Sequence, residues 1–176
     1  MPNSVFNLQP ETLENALIKL IPLQESDVEM LYKVASDPEI WANHPSKNRY
    51  KREEFQLFLD SALSSKSAFL VYDFATNDLI GSTRFYNLDT TNSAVAIGYT
   101  FLAKKYWGGG HNKAMKKLLI DYAFQYVDTI LFHIGETNSI SQKAIAKIGA
   151  TKIGVVDFNN NEVPYFEYQI QKKDWV

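Results

Sequence analysis

Residues 94–126 read AVAIGYTFLAKKYWGGGHNKAMKKLLIDYAFQY. The first nine, Ala94–Leu102, form an apolar run of strand type. From 113 to 126 the period changes, and Met115, Leu118, Leu119, Tyr122 and Ala123 recur at helical spacing. Between strand and helix lie Gly108, Gly109 and Gly110, three consecutive glycines in a chain that has only 8. A strand, a glycine turn and a helix start together suit an anion. Glycine lets the backbone approach closely, the first helical N–H groups point outward, and the helix dipole favours negative charge there. The charge pattern agrees. Residues 90–120 contain no acid but include Lys104, Lys105, Lys113, Lys116 and Lys117, whereas the whole chain has a net charge of -2. The alternative is a flexible turn beside a solvated lysine face.

Outward from this segment, short turns at Asn77-Asp78 and Thr90–Asn92 join strands at Ala68–Phe74, Leu79–Leu88 and Ala94–Leu102 into an antiparallel meander. Upstream, residues 17–23 read as a first strand. Ser26 to Glu29 has the spacing of a capping box, followed by a helix with Val28, Leu31, Tyr32 and Ala35 on one face. That helix is expected to stop near Asp37-Pro38, with a loop over 39–49. A second helix fits 51–64, with Phe55, Phe58, Leu59 and Ala62 together. Downstream come a strand at Thr129–Ile134, a helix at Ser139–Ile148 closed by Gly149, and strands at 151–157 and 164–171 about Asn159–Asn161. The order predicts a mixed α/β (α+β) fold: one largely antiparallel sheet with helices on both faces.

Composition excludes several classes of function. The chain has 176 residues, which fits one domain of the usual roughly 100–200 residues. Eighteen Lys+Arg against 20 Asp+Glu argue against a nucleic-acid surface. With 0 Cys there is no disulfide, no thiolate metal site and no enzyme thiol to carry an acyl group. No apolar run approaches the ~20 residues of a membrane span, and the N-terminal stretch lacks signal-peptide character. A soluble, cytoplasmic protein is expected. No metal spacing and no nucleophile elbow are present. Gly110-His111-Asn112 lacks the Lys and Ser/Thr of a P-loop, and Gly108-x-Gly110 is followed by Lys113 where a dinucleotide fingerprint needs Gly.

Three stretches carry a resemblance. They are Ile97-Gly98-Tyr99-Thr100-Phe101-Leu102, Tyr106-Trp107-Gly108-Gly109-Gly110-His111-Asn112, and the run from Asn138 to Ala150. In this order and spacing the chain resembles the GNAT superfamily of N-acetyltransferases, and within it the RimJ/RimL-like branch that acetylates ribosomal-protein N-termini. Ile80 to Phe85, Asp37 to Trp41 and Asp174-Trp175 extend the likeness over nearly the whole chain, 1–176. The resemblance implies a GNAT-type splayed central sheet in which acetyl-CoA lies between strands 94–102 and 129–135. It implies cofactor contacts from Phe101, Leu102, Trp107, Gly108, Gly109, Gly110, His111, Asn112, Lys113, Asn138, Ser141 and Lys147, with no metal. The family usually carries Gly or Ala where this chain has Asn112.

The resemblance further implies transfer to a primary amine, on a peptide N-terminus or a small molecule, by direct attack. A backbone N–H of Phe101 or Leu102 would polarise the thioester carbonyl. Relatives often use a Tyr in the 139–148 helix as acid; this chain has none there, which leaves Ser141. Relatives often place a Glu where this chain has Ala96, so the base is open among Asp89, Glu167, His44 and His133. His133 reads equally as an outward polar residue. Trp41, His44, Arg84 and Tyr86 are candidate acceptor residues; Arg84 and Tyr86 share a strand face and read also as a surface pair. Trp107 is expected to pack under the glycine loop. The competing functions are a CoA-binding sensor or partner module without catalysis, and a nucleotide-phosphate binder. A monomer or a homodimer is compatible with all of these.

Overall fold

The computed structural model describes residues 5–158 and 163–176. The turn expected at Asn159–Asn161 lies outside them. The order is β1 (Leu13–Glu14), β2 (Ile18–Pro22), α1 (Val28–Ala35), α2 (Pro38–Trp41), α3 (Arg52–Ser65), β3 (Ala68–Asp73), β4 (Leu79–Asp89), β5 (Ala94–Leu102), α4 (His111–Ala123), β6 (Thr129–Gly135), α5 (Ser139–Lys147), β7 (Thr151–Val156) and β8 (Tyr165–Gln171). The strands form one eight-stranded sheet in the order β1-β2-β3-β4-β5-β6-β8-β7. Every neighbouring pair is antiparallel except β5 and β6, which the α4 crossover makes parallel. No described helix is long and apolar enough to cross a membrane.

Alternation along the strands builds two cores. Phe69 and Val71 face α4 with Phe85, Ile97, Met115, Leu119 and Phe132. Ala68 and Leu70 face the other way, against Leu31, Trp41, Phe55, Phe58, Leu59 and Phe101. The helices therefore lie on both faces, as the strand and helix order predicts. Two boundaries differ from expectation. The cap before α1 is Gln24 with Asp27, whose carboxylate accepts from the Gln24 N–H at 2.9 Å, and not Ser26 with Glu29. Pro38–Trp41 is a helical turn, not loop, because Asp37 caps it by accepting from the Glu39 N–H and Pro suits a first helical position.

The register between β4 and β5 contains the main irregularity. Ser82 pairs with Phe101 but Arg84 pairs with Gly98, so β5 carries one extra residue. That bulge holds Tyr99 at φ +51°, a left-handed backbone that a bulky residue rarely adopts. Close packing flanks it on both sides. The Tyr86 ring covers Gly98, where a Cβ would lie 2.9 Å from its Cε1. The Phe101 carbonyl presses on Gly81, where a Cβ would lie 2.9 Å from the carbonyl carbon. Pro45 packs in the same manner against Gly135, at the end of β6.

Gly81→Ala is expected to destabilise the fold by about 3 kcal/mol, because the clash is with backbone of a central strand. Gly154→Ala, where nothing lies within 4 Å, is expected to stay within about 0.5 kcal/mol. Thermal denaturation of the two variants side by side checks this; equal melting temperatures would contradict it.

Candidate active site

β5 and β6 are paired only at Ala94–Thr129, Val95–Ile130 and Ala96–Leu131. Beyond that point β6 follows β8 over seven paired positions, while β5 follows β4 through its bulge. The two parallel strands diverge and open a gap toward Leu102 and Gly135. The peptide of Phe101 is turned to β4, and the Ala103 N–H donates to the Ile80 carbonyl at 2.7 Å. Successive residues of a strand direct their peptide groups to opposite edges, so Leu102 and Thr100 face the gap. Phe101 and Leu102 therefore differ. Phe101 has its peptide on β4 and its ring in the core with Trp41, Phe55 and Phe58. The Leu102 carbonyl accepts from the Trp107 indole N–H at 2.9 Å, which leaves the Leu102 N–H at the gap edge. Trp107 itself is 38% exposed, so it braces the strand end from outside and does not pack under the loop.

The glycine turn leads straight into α4. Gly108 has φ +73° and Gly110, the N-cap, φ +88°. No side chain caps this helix, and its first intrahelical acceptor, the Gly110 carbonyl, serves Ala114. The N–H groups of His111, Asn112 and Lys113 are thus directed out of the first turn. The His111 ring points inward: its Nε2 lies 2.7 Å from Asp73 Oδ1 and its edge meets Tyr106. This His111 hydrogen bond, with those from Thr76, holds the Asp73 carboxyl below the usual range. His111 ties the loop to β3 through its ring and offers only its backbone to the turn.

The lysines are dispersed, which corrects the picture of a single cationic patch. Lys104 pairs with Glu39 at 2.5 Å and Lys117 with Asp121 at 2.6 Å. Lys113 is exposed on the first turn, and Lys147 is exposed in the last turn of α5, the far end from Asn138. Lys116 is buried, donates to Thr100 Oγ1 at 3.0 Å, and lies 6.0 Å from the Phe132 ring centre. Thr100 belongs to β5 and Phe132 to β6, so this ammonium closes the gap from the α4 side. Burial pushes its pKa down to about 8.

At the start of α5, the Asn138 side-chain carbonyl accepts from the Ser141 N–H at 3.3 Å. The Asn138 amide nitrogen remains available as a donor on the same turn as the Ser141 hydroxyl.

On the α3 side a polar chain spans the gap. The Tyr86 hydroxyl lies 2.6 Å from His133 Nδ1, and His133 Nε2 lies 2.7 Å from Glu167 Oε2. These residues come from β4, β6 and β8. The His133 side chain is only 7% exposed and Glu167 is 24% exposed, so His133 is not an outward polar residue. Burial raises the Tyr86 phenol far above its ordinary value, which keeps it protonated at neutral pH and able to donate to Nδ1. The other base candidates are placed differently. Asp89 caps the 90–92 turn beside Ala94, at the closed end of the strands. His44 Nδ1 accepts from the Ser46 N–H at 2.9 Å, and burial, with Arg49 nearby, lowers its pKa to about 3. It is neutral and poorly suited to take a proton.

Arg84 is buried, not part of a surface pair. Its guanidinium sits 3.7 Å over the Tyr99 ring and 5.2 Å from Phe58, and Nη1 donates to Ser61 Oγ at 2.9 Å. Arg49 lies 5.1 Å from the same Phe58 ring and 5.3 Å from Trp41. Trp41 is 2% exposed and its indole donates to the Ala35 carbonyl, so it forms the floor under Arg49. Arg49, Tyr99 and Lys116 were not singled out as site residues from sequence. Only Arg49 had a signal, its place at the edge of the 39–52 loop; the others depend on the bulge and on the depth of one helix face. Among the described residues no group of His, Asp and Glu is placed to hold a metal ion.

Comparison with known proteins fits this geometry. The Acetyltransferase (GNAT) domain family matches residues 18–151. An uncharacterized N-acetyltransferase of Bacillus licheniformis, p20, is 29% identical over 119 residues. That match spans 65% of this chain and 66% of p20, slightly under two thirds of that protein's length. A GCN5-related N-acetyltransferase from Brucella melitensis has the same fold, with a TM-score of 0.78 at 18% identity over 95% of this chain and 83% of that one. A GNAT acetyltransferase from Bacillus anthracis gives 0.74 at 18%, over 92% and 99%. A spermidine N-acetyltransferase from Vibrio cholerae, solved with CoA and spermine, gives 0.70 at 16%, over 91% and 98%. The chain belongs to the GNAT acetyltransferase family.

Lys116 generates a test of the buried charge. Its folded pKa of about 8 lies below the ordinary 10.5, so the unfolded chain binds more protons between those values. Stability attributable to this group therefore rises as pH climbs from about 8 to 10.5, and below 8 the buried charge costs about 3 kcal/mol. Lys116→Met is expected to be more stable than the parent at pH 7, with the margin shrinking above pH 8. Urea denaturation at pH 7, 8.5 and 10 measures it; a constant margin would refute the assignment.

Proposed function

We propose that this protein is an acetyl-CoA-dependent N-acetyltransferase that transfers the acetyl group to a primary amine by direct attack. The observation that carries the proposal is the three-residue pairing of β5 with β6. It leaves a strand edge at Thr100 and Leu102 facing a gap, with a glycine-rich helix start at one end and a buried polar chain across the α3 side. The order of the family motifs supports the narrower RimJ/RimL-like placement.

Acetyl-CoA, when bound, supplies an activated thioester carbon. The residues of the chain do the rest. The N–H groups from Gly108 to Lys113 suit the pyrophosphate. The edge of β5 suits an extended, amide-bearing arm, and the Asn138 amide is placed to donate to it. The Leu102 N–H is the donor for the thioester carbonyl, where a single oriented N–H is worth ~3 kcal/mol in the transition state. The Ser141 hydroxyl is the donor toward the departing sulfur. The amine proton passes to the Tyr86 hydroxyl as the tyrosine's own proton moves to His133 Nδ1. Glu167 stabilises the resulting imidazolium and, being partly exposed, connects it to water. With 0 Cys in the chain there is no enzyme thiol to take the acetyl group.

A CoA-binding module without catalysis was suggested by Ala96, which stands where relatives often have Glu. Ala96 is fully buried and pairs with Leu131 at the closed part of the strands. The proton path through Tyr86, His133 and Glu167 lies beside it and does not require a carboxylate at that position.

Thiol release from acetyl-CoA with a panel of amines and peptide N-termini is the direct test. Absence of acetyl-CoA binding up to millimolar concentration would overturn the proposal. Asn138→Asp keeps the acceptor that caps α5 but removes the amide donor; its KM for acetyl-CoA is expected to rise about tenfold. Tyr86→Phe keeps the ring over Gly98; its kcat is expected to fall at least about 100-fold, while acetyl-CoA still raises the melting temperature. A Tyr86→Phe enzyme of parental kcat would remove the proton path from the mechanism.

A further inference from the structure

Two guanidinium groups, Arg84 buried and Arg49 half-buried, stand on the α3 side of the gap, and neither forms an ion pair among the described residues. Arg84 is 3% exposed. It uses Nη1 on Ser61, while Nε and Nη2 are buried with no hydrogen-bond partner. Arg49 is held by one hydrogen bond, to Ser46 Oγ at 3.1 Å. Both lie near the Phe58 ring, Arg49 also over Trp41 and Arg84 also over Tyr99. They act on each other as like charges. The nearest carboxylate influences are weak or committed elsewhere: Glu54 is exposed and acts on Arg49 only at a distance, and Glu167 is bonded to His133.

A guanidinium stays protonated at neutral pH. An isolated buried charge is costly, and two like charges side by side are costlier. Stacking on aromatic rings offsets only part of that cost. The arrangement is complete when an anion reaches the free Nε–H and Nη2–H edge of Arg84, which has the fork geometry of a carboxylate partner. The location says what else that anion carries. Arg84 stacks on Tyr99, and the Tyr99 ring centre is 5.1 Å from that of Tyr86, whose hydroxyl begins the proton path. An anion at Arg84 and an amine at Tyr86 are therefore within the span of one small molecule or one terminal residue.

We propose that the amine acceptor bears a carboxylate close to its reacting nitrogen, and that Arg84, assisted by Arg49, is the specificity group that reads it. The acceptor is then an amino acid or a peptide whose first residue is acidic. A polyamine is disfavoured, since it would bring its remaining positive charges against the two guanidiniums. This assignment rests on the acetyltransferase reading for its chemistry, but its binding half does not.

Two measurements on the full chain separate them. The first is turnover with acetyl-CoA across aspartate, glutamate, their diamides and dimethyl esters, spermidine, and short C-terminally amidated peptides that begin with Glu, Gln or Ser. The expected result is a preference of about 100-fold in kcat/KM for the carboxylate over its neutral isostere. Free amino acids against Glu-first peptides distinguish the two sources of the carboxylate. The second is thermal stabilisation by the same compounds without acetyl-CoA. Carboxylate-bearing amines are expected to raise the melting temperature of the parent more than their neutral isosteres. That difference is expected to disappear in Arg84→Gln and to shrink in Arg84→Lys, which keeps the charge but loses the fork. Should Arg84→Gln fail to fold, Arg49→Gln and the parent's own panel carry the test. Preference for spermidine or for the neutral isosteres, in either measurement, overturns the proposal. Binding of carboxylates without thiol release would uphold the anion site and remove the acetyltransferase reading.

Discussion

Everything in this molecule depends on two parallel strands that stay together for only three residues. β5 and β6 begin side by side because α4 crosses between them and buries Met115, Leu119 and Ile120 against both. They separate because each has a stronger commitment elsewhere. β6 is fully laddered to β8, and β5 is bent onto β4 by the extra residue at the bulge. A buried strand edge with free N–H and C=O groups is costly to maintain. Here the edge is kept open by packing on both flanks: Lys116 from the α4 side, and the Tyr86–His133 contact from the α3 side. The strained backbone of Tyr99 belongs to the same arrangement. A left-handed residue in a strand costs of order 1–3 kcal/mol, and this one turns the strand and supplies the ring on which Arg84 stacks.

The electrostatics divide along the same line. One side of the gap is made from backbone: glycine-turn amides, the first turn of α4 and the Leu102 N–H. The α3 side is made from side chains contributed by α3, β4, β5, β6 and β8. Its ionisable groups are of mixed sign, and the cationic arginines are not paired with the one carboxylate. His133 takes Glu167, and the two arginines are left with aromatic faces. Lys116 lies beneath the floor and not in the anion turn. The lysines between 104 and 117 share a stretch of sequence but part once folded: Lys104 and Lys117 pair with acids, Lys113 is exposed and Lys116 is buried.

The order of strands and helices, the antiparallel meander and the two helical faces were legible in the sequence because each rests on local rules. Period two against 3.6 separates Ala94–Leu102 from the helix after it, and short Asn-rich turns imply antiparallel neighbours. Gly108 and Gly110 do adopt the left-handed conformations that made a glycine cluster notable. What was not legible depends on distance across the fold. Lysine spacing along a chain does not say that Lys104 meets Glu39, 65 residues away, or that Lys116 turns inward. His133 and Glu167 could be named among four candidate bases but not joined, because their pairing is a register fact of β6 and β8. Phe101 and Leu102 could not be told apart until the strand edge each peptide faces was known. Arg49 escaped notice because an arginine in a polar loop is ordinary until it is found lying on a buried tryptophan.

The packing of Pro45 against Gly135 has a wider consequence. The segment between α2 and α3, which brings His44 and Arg49 to the site, is seated on the tip of β6 by a notch with no room for a side chain. It is tethered there by shape, with no ladder of strand bonds. That segment can therefore be rebuilt, lengthened or tilted without disturbing the backbone of β5 and β6. Two halves with such different mechanical foundations can diversify at different rates. One scaffold of this kind can then keep the gap between its parallel strands while the loop seated at its mouth drifts.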